Sequence, residues 1–379
     1  MTVLDSVRKS LFWISAPIFF INFVLPVKSK ALGANAMEIG GLFSLFTLSL
    51  LLFRPLIGMA LDRYGRRGFL IFALILYVLA YAGYGFSETI EWMYAARLLQ
   101  GVGAAILLLT VDAITADLTG EDNRASAMGK NVEAQTRSTF VGATIGFSLV
   151  AIFPTEGWQY SFLIFVVLGV YALINAMRHV PESVETSAGT KTNASLSKPL
   201  VTLLVMLVPL GFASALMMPI YLVYLQDTFS PDVRLLSWAF LPAGLVFAIM
   251  PSKLGAIVDR VGPVKPCAIG LLVVSGSYLV MPMLGQFWPV VAVYTLSSFG
   301  WAVIEPARKT MTATLSGMQV AKGFGLAEMS LGFGAVVGPL AGGCLYDQFD
   351  HSLPFLVNSA VVLLAAAILL LLVRPRLNS

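Results

Sequence analysis

Several carboxylates lie inside long, largely apolar stretches of this chain. Asp112, Glu133, Glu305 and Glu328 each stand in such a segment. A carboxylate in a partly dry site binds its proton more tightly than one in water, which is the property that a proton carrier requires. If protons drive a process in this protein, at least one of these four groups must change its protonation state.

Two of these acids have a basic residue one helical turn away. Arg137 follows Glu133 by four residues, and Arg308 follows Glu305 by three. Side chains at these spacings are neighbours on a helix, so each pair can neutralise its own charges. Both pairs are therefore compatible with a structural role as well as with a substrate or proton site.

Asp112 and Glu328 have no basic neighbour within a turn of their own helices. We expect Arg54 to be the partner of Asp112, with Arg137 as the second choice. An acid without a local base is shifted more easily toward neutral pH, which ranks these two acids above the locally paired ones as proton sites.

A charged turn follows the second apolar segment, in Gly58-Met-Ala-Leu-Asp62-Arg63-Tyr-Gly65-Arg66-Arg67. We predict that Gly58 lets the helix end pack closely against a neighbour, that Gly65 adopts a positive φ, and that Asp62 caps a nearby helix N-terminus. A weaker copy, Gly255-Ala-Ile-Val-Asp259-Arg260-Val-Gly262, returns about half a chain later. The repetition indicates a duplicated protein.

The first turn resembles, at every defining position, the signature of the major facilitator superfamily of secondary transporters, G-x-x-x-D-(R/K)-x-G-(R/K)-(R/K). Arg97-Leu-Leu-Gln100-Gly-Val-Gly-Ala-Ala is similar to the fourth-span motif of that family, R-x-x-Q-G-x-G-A-A. In relatives this arginine is associated with proton coupling, and an arginine can also hold an anionic substrate bidentately. The resemblance leaves both roles open for Arg97, and Gln100 lies one turn further along.

The resemblance also implies a latch beside the charged turn. The stretch Ala116-Asp117-Leu-Thr-Gly-Glu-Asp-Asn-Arg124 is similar to the inner loop that follows the fourth span in the family. There the acid at the span end pairs with the second basic position of the turn, so Asp117 would contact Arg66. In the second copy Pro263 stands where Arg66 maps, and we expect a weaker latch.

The composition indicates a membrane protein. Apolar residues make up 58% of the chain and charged residues 12%, whereas a soluble domain carries roughly 25% charged residues. The net charge of +4 arises in short turns rather than on one basic face, so we expect no nucleic-acid partner. The two histidines and two cysteines show no catalytic or metal-ligand spacing. We therefore expect no enzyme activity, no metal and no cofactor. The family resemblance implies a proton as the coupling ion.

Twelve segments are long and apolar enough to cross a bilayer, because about 20 helical residues span a hydrocarbon core of roughly 30 Å. They cover residues 11–27, 38–61, 69–86, 92–117, 131–153, 159–178, 199–223, 235–258, 266–284, 288–312, 322–346 and 353–373. Most of the 24 Lys and Arg residues fall on one side, which predicts that both termini are cytoplasmic. On that side we expect Asp62 to cap the start of the eleventh span, near residues 322–325.

We predict an all-α integral membrane protein of two pseudo-symmetric six-helix bundles, residues 1–178 and 199–379, joined by a cytoplasmic linker at 179–198. Such transporters bind substrate near the midplane between their halves. The eleventh span carries Gly334-Ala-Val-Val-Gly338-Pro339-Leu-Ala-Gly342-Gly343, which is similar to the glycine–proline motif that the family's antiporters carry in their fifth span. The fifth-span equivalent here, residues 142–146, lacks the proline. We favour close helix packing as the role of both stretches, because small residues at this spacing let helix backbones approach closely.

The resemblance covers essentially the whole chain and implies a transporter that works by alternating access. Within the family, the motifs are most similar to those of bacterial drug and metabolite exporters driven by proton exchange. One alternative is a proton symporter or a facilitator for a small, for example anionic, metabolite, with Arg97 and Arg308 as binding residues. Another is a membrane sensor or scaffold of the same fold that transports nothing. We expect a small-molecule substrate, a lipid environment in a bacterial inner membrane, and a functional monomer.

Overall fold

The chain folds into helices, in a computed structural model that describes residues 2–119, 121–182, 197–229, 233–316 and 320–373. It divides into two compact units, one of Met1–Ala34 with Leu45–Lys191 and one of Asn35–Ser44 with Thr192–Ser379. One helix, α3 (Ala36–Tyr64), contributes its first residues to the second unit and the remainder to the first. The described regular structure contains no strand.

The first unit begins with a span that is broken in two. The break falls at Pro17, whose ring has no N–H to continue the backbone ladder. A buried aromatic cluster fills the interior of the unit, and within it the indole N–H of Trp158 donates to the Tyr84 carbonyl over 2.7 Å. Besides most of α3, the helices are α1 (Val3–Ser15), α2 (Ile18–Ala31), α4 (Arg67–Gly85), α5 (Ile90–Asp117), α6 (Glu121–Ile152) and α7 (Gly157–His179).

The second unit is likewise composed of helices of unequal length. They are α8 (Lys198–Thr228), α9 (Val233–Ile249), α10 (Pro251–Val261), α11 (Val264–Val280), α12 (Phe287–Ser316), α13 (Val320–Gln348) and α14 (Leu353–Ile368). A 3₁₀ turn at Met281–Met283 follows α11, and a π-helical turn at Leu369–Val373 follows α14.

Ten helical segments within the described ranges are long and apolar enough to cross a membrane, rather than the twelve expected. The expected fifth span lies in α6, which has 32 residues but is too polar in the part that carries Glu133 and Arg137. The expected eighth span is divided where Pro251 begins α10, which leaves α9 with 17 residues. The all-helical membrane architecture is confirmed, and the part of the chain that the structure describes has ten clear spans instead of twelve.

Glycines bring the backbones of α8 and α13 together. A methyl group added to Gly334 would overlap the Val208 carbonyl oxygen, and one on Gly338 would come within 2.5 Å of the Phe212 carbonyl oxygen. Gly342 lies against Leu216 in the same row. Small residues at this spacing permit the close helix approach that membrane helices use in place of a hydrophobic driving force.

Candidate functional site

The charged turn joins α3 to α4 through Gly65, whose φ of +86° lies in the left-handed region. A side chain is strained in that conformation, so the turn requires glycine there. Gly262 of the second copy has a φ of +84° and ends α10 in the same manner. Gly58 differs from expectation, because an added methyl group would meet no described atom within 4 Å. No described residue therefore packs closely against Gly58, in contrast to the prediction.

Arg66 lies buried beside the end of α5. Its side chain is 3% exposed, and its Nε donates to Asp117 Oδ2 over 3.0 Å. A second guanidinium nitrogen donates to the Leu61 carbonyl in the last turns of α3. The ion pair implied by the family resemblance is thus present, and it ties α3, the turn and α5 together.

Glu182 adds a partner to this turn that sequence reasoning missed. Its Oε1 accepts hydrogen bonds from the backbone N–H groups of Arg66, over 3.1 Å, and Arg67, over 3.2 Å. The Arg67 guanidinium also donates to the Met177 carbonyl over 2.7 Å. The only signal was indirect: α4 has no acid in its first turn and no side-chain cap of its own, so its first N–H groups needed an acceptor from elsewhere.

The remaining residues of the two charged turns, and Arg124, complete the set of predicted gate residues. The side chains of Asp62, Arg63 and Arg124 lie outside the described part of the chain, so the predicted capping by Asp62 stays a prediction. Asp259 and Arg260 are exposed, and neither forms an ion pair with a described residue. Gly255 lies 3.9 Å, measured from an added methyl group, from the side chain of Pro306.

Arg97 is the centre of a buried polar network in the first unit. Its side chain is 2% exposed, and it donates to Gln100 Oε1 over 2.8 Å and to Asn22 Oδ1 over 3.3 Å. The Tyr84 hydroxyl donates to the same Gln100 oxygen over 2.8 Å. The guanidinium also lies 4.7 Å from the ring centre of Phe46, a cation–π distance.

The acids of the first unit have different surroundings. Asp112 on α5 is exposed, and Arg54 on α3 is the basic residue whose charge acts on it, which agrees with the first choice of partner. Glu133 and Arg137 form a local ion pair on α6, with 54% and 73% of their side chains exposed. That pair neutralises itself as the spacing indicated.

Arg308 joins two acids in the second unit. Its Nε lies 2.7 Å from Glu305 on the same helix, and another nitrogen lies 3.0 Å from Glu328 on α13. Lys309 makes a further ion pair with Glu305 over 2.9 Å. Glu328 therefore has a basic partner, Arg308, on a neighbouring helix, which a within-helix pattern does not reveal. Its rank among the proton-site candidates stays a prediction.

Comparison with known proteins agrees with this geometry. A family model described as Major Facilitator Superfamily matches residues 10–210 and 203–379 of the chain. A bacterial homologue of the human lysosomal transporter Spinster, solved in an inward-facing and occupied conformation, has a TM-score of 0.73 at 15% identity, with 98% of this chain and 96% of that chain covered.

Two resistance proteins are similar to the chain over nearly its whole length. Multidrug resistance protein 1 of Bacillus subtilis (strain 168) is 23% identical over 358 residues, which are 92% of this chain and 91% of that protein. Tetracycline resistance protein, class B, of Escherichia coli is 23% identical over 372 residues, 93% of this chain and 88% of that protein. Together the matches confirm the predicted family and fold.

Proposed function

The chain belongs to the major facilitator superfamily, and we propose that it exports a small organic molecule in exchange for protons. As a member of that family it is a multi-pass membrane protein that transports a small molecule. The observation that carries the finer proposal is the likeness, over about nine-tenths of the chain, to two proteins named for resistance to drugs.

The positions of the acids support a proton site on α5. Asp112 is exposed on a membrane-spanning helix and has one basic residue, Arg54, acting on it. Glu305 and Glu328 each already form an ion pair with Arg308, over 2.7 and 3.0 Å. We therefore assign the exchanged proton to Asp112 before the other acids.

An anion symporter is the weaker proposal. Arg308, one of its two expected binding residues, is already neutralised by two carboxylates. Arg97, the other, is almost fully buried among Gln100, Asn22 and Phe46. An anionic substrate would have to displace these contacts before either arginine could bind it.

We also propose that both termini are cytoplasmic and that the monomer is the functional unit, without a nucleic-acid partner. The bias of Lys and Arg toward one set of loops supports this orientation. Residues 1–178 and 199–379 are proposed as the two repeats, joined by the polar segment at 179–198.

A ligand screen followed by a flux assay tests the proposal. Tetracycline, other drugs, sugars, amino acids and organic acids are added to the purified protein, and compounds that bind the folded state raise its melting temperature. Each such compound is then added to everted vesicles. Alkalinisation of the vesicle interior supports exchange with protons, whereas uptake that requires an inward proton gradient supports symport. A compound that binds but does not cross liposomes favours the sensor or scaffold.

Variants of the acids then separate coupling from binding. Asp112→Asn should abolish gradient-driven transport and leave ligand binding and passive exchange intact. Glu133→Gln is the matched control, because that acid is paired locally on an exposed face. If single Asn or Gln variants of Asp112, Glu133, Glu305 and Glu328 all retain proton-driven transport, coupling by these acids is excluded. Coupling then depends on Arg97 and its neighbours, or the protein is a facilitator.

A further inference from the structure

The first turn of α3 is held by two sets of contacts. Asn35 and Glu38 form a local capping box, in which each side chain accepts the backbone N–H of the other, over 2.9 and 2.8 Å. This box leaves the N–H groups of Ala36 and Met37 without acceptors inside α3, because the first N–H groups of any helix have no intrahelical partner.

Asp347, near the end of α13, supplies both missing acceptors. Its Oδ1 accepts from the Ala36 N–H over 3.1 Å, and its Oδ2 accepts from the Met37 N–H over 2.7 Å. A carboxylate at a helix N-terminus gains from the charge of the hydrogen bonds and from the helix dipole. With Asp347 in place, every N–H at the start of α3 is satisfied.

The glycine–proline motif of α13 forms the rest of this contact. Gly343 lies directly against the Ala36 carbonyl, and an added methyl group on Gly40 would overlap the Pro339 carbonyl. Further along, the Leu340 N–H donates to Ser44 Oγ over 3.1 Å. The motif thus has two faces, with Gly334 and Gly338 against α8 and Gly343 and Pro339 against the first residues of α3.

We propose that Asp347 is a gate-controlling residue, which holds the start of α3 on α13 in this conformation and releases it during transport. This inference rests on the proposed function, because release is required only if access alternates. Two features make the contact reversible. Asp347 is exposed, so water can replace its donors on opening, and the two backbones meet directly at Gly40 and Gly343. Asn35–Ser44 then leaves the second unit while the rest of α3 stays in the first.

Distance measurements between spin labels test the proposal on the full chain. Labels replace Met37 and Phe349, whose side chains are exposed, after Cys267 and Cys344 are changed to Ala. In Asp347→Ala the ratio of long to short distances should rise by about fivefold, the change that loss of a typical helix cap produces. Asp347→Glu, which retains a carboxylate, should stay closer to the unsubstituted protein.

Asp350→Ala is the matched control. Asp350 lies three residues further on, and its carboxylate accepts hydrogen bonds from Ser352 in its own loop. The distance distribution of Asp350→Ala should match that of the unsubstituted protein. If Asp347→Ala does not fold, as judged by its melting curve, the isosteric Asp347→Asn gives the answer instead, with a smaller shift in the same direction.

Two results would overturn the inference, and they differ in what else they affect. If the unsubstituted protein populates both distances and the Asp347 variants leave their ratio unchanged, Asp347 does not control the gate and the proposed function stands. If only one distance is populated in every condition, alternating access itself is contradicted, and the proposed role of Asp347 is contradicted as well.

Discussion

At the scale of single residues, the charged turn of the first unit is held by acceptors from three separate parts of the chain. The Arg66 guanidinium donates to Asp117 at the end of α5 and to the Leu61 carbonyl of α3, while Glu182 accepts from the Arg66 backbone N–H. A buried charge that loses its partner costs about 3–5 kcal/mol, because the remaining ion is still excluded from water. The turn therefore depends on each partner being present.

Reversing charges at Arg66 and Asp117 tests this dependence. Arg66→Asp alone places two acids side by side, and Asp117→Arg alone places two bases together, so each single variant should lose most transport and several kcal/mol of stability. The double reversal should recover part of both losses. A double-mutant cycle with no coupling energy in either measurement would exclude a functional role for the pair.

Sequence reasoning found the contacts that follow from spacing or from the family resemblance. It gave the local pair of Glu133 with Arg137 by helical spacing, and the pair of Arg66 with Asp117 by resemblance. It did not find Glu182, which is 116 residues from Arg66 along the chain and carries no motif. Contacts of that kind depend on which helix ends the fold brings together, and no local pattern encodes this.

At the scale of elements, the sequence predicts most helices because membrane spans must be long and apolar. It fails where a helix is interrupted or polar for another reason. Pro251 divides the expected eighth span, which a sliding window reads as continuous, and α6 is a long helix whose polar residues make it less apolar than a membrane span. Hydropathy reports contact with lipid, whereas helix formation also depends on proline and on the contacts made within the protein.

The contact between α8 and α13 gives a prediction at this scale. Gly334→Ala inserts a methyl group into the Val208 carbonyl and should cost about 1–3 kcal/mol, seen as a lower melting temperature. Gly325→Ala is the control on the same helix, since no described atom lies within 4 Å of an added methyl group there. Alanine favours a helix over glycine, so the control should keep or raise the melting temperature. Equal melting temperatures for the two variants would contradict close packing at Gly334.

At the scale of the whole molecule, the two copies of the charged turn do not make the same contacts. The first charged turn has a buried ion pair, while Asp259 and Arg260 of the second copy are exposed. The second unit instead contributes Asp347 at the other end of α13, where it caps α3. The contact predicted for Asp62 is of the same kind, but the helices exchange roles. Here an acid at the end of α3 would cap the start of α13. Both helices would then carry an acid that caps the other helix.

Two caps at opposite ends should act in opposite directions. Asp62→Asn weakens the cap that we predict for the outward-open conformation and should shift the population toward inward-open, whereas Asp347→Ala should shift it toward outward-open. The double variant should return near the unsubstituted distribution, since each loss, about 1 kcal/mol for a typical cap, offsets the other. Spin labels at Gly68 and Gly325, exposed positions with room for an added side chain, report one end, and labels at Met37 and Phe349 report the other. Shifts of the same sign in both single variants would rule out opposed caps, even if each acid proves important for transport.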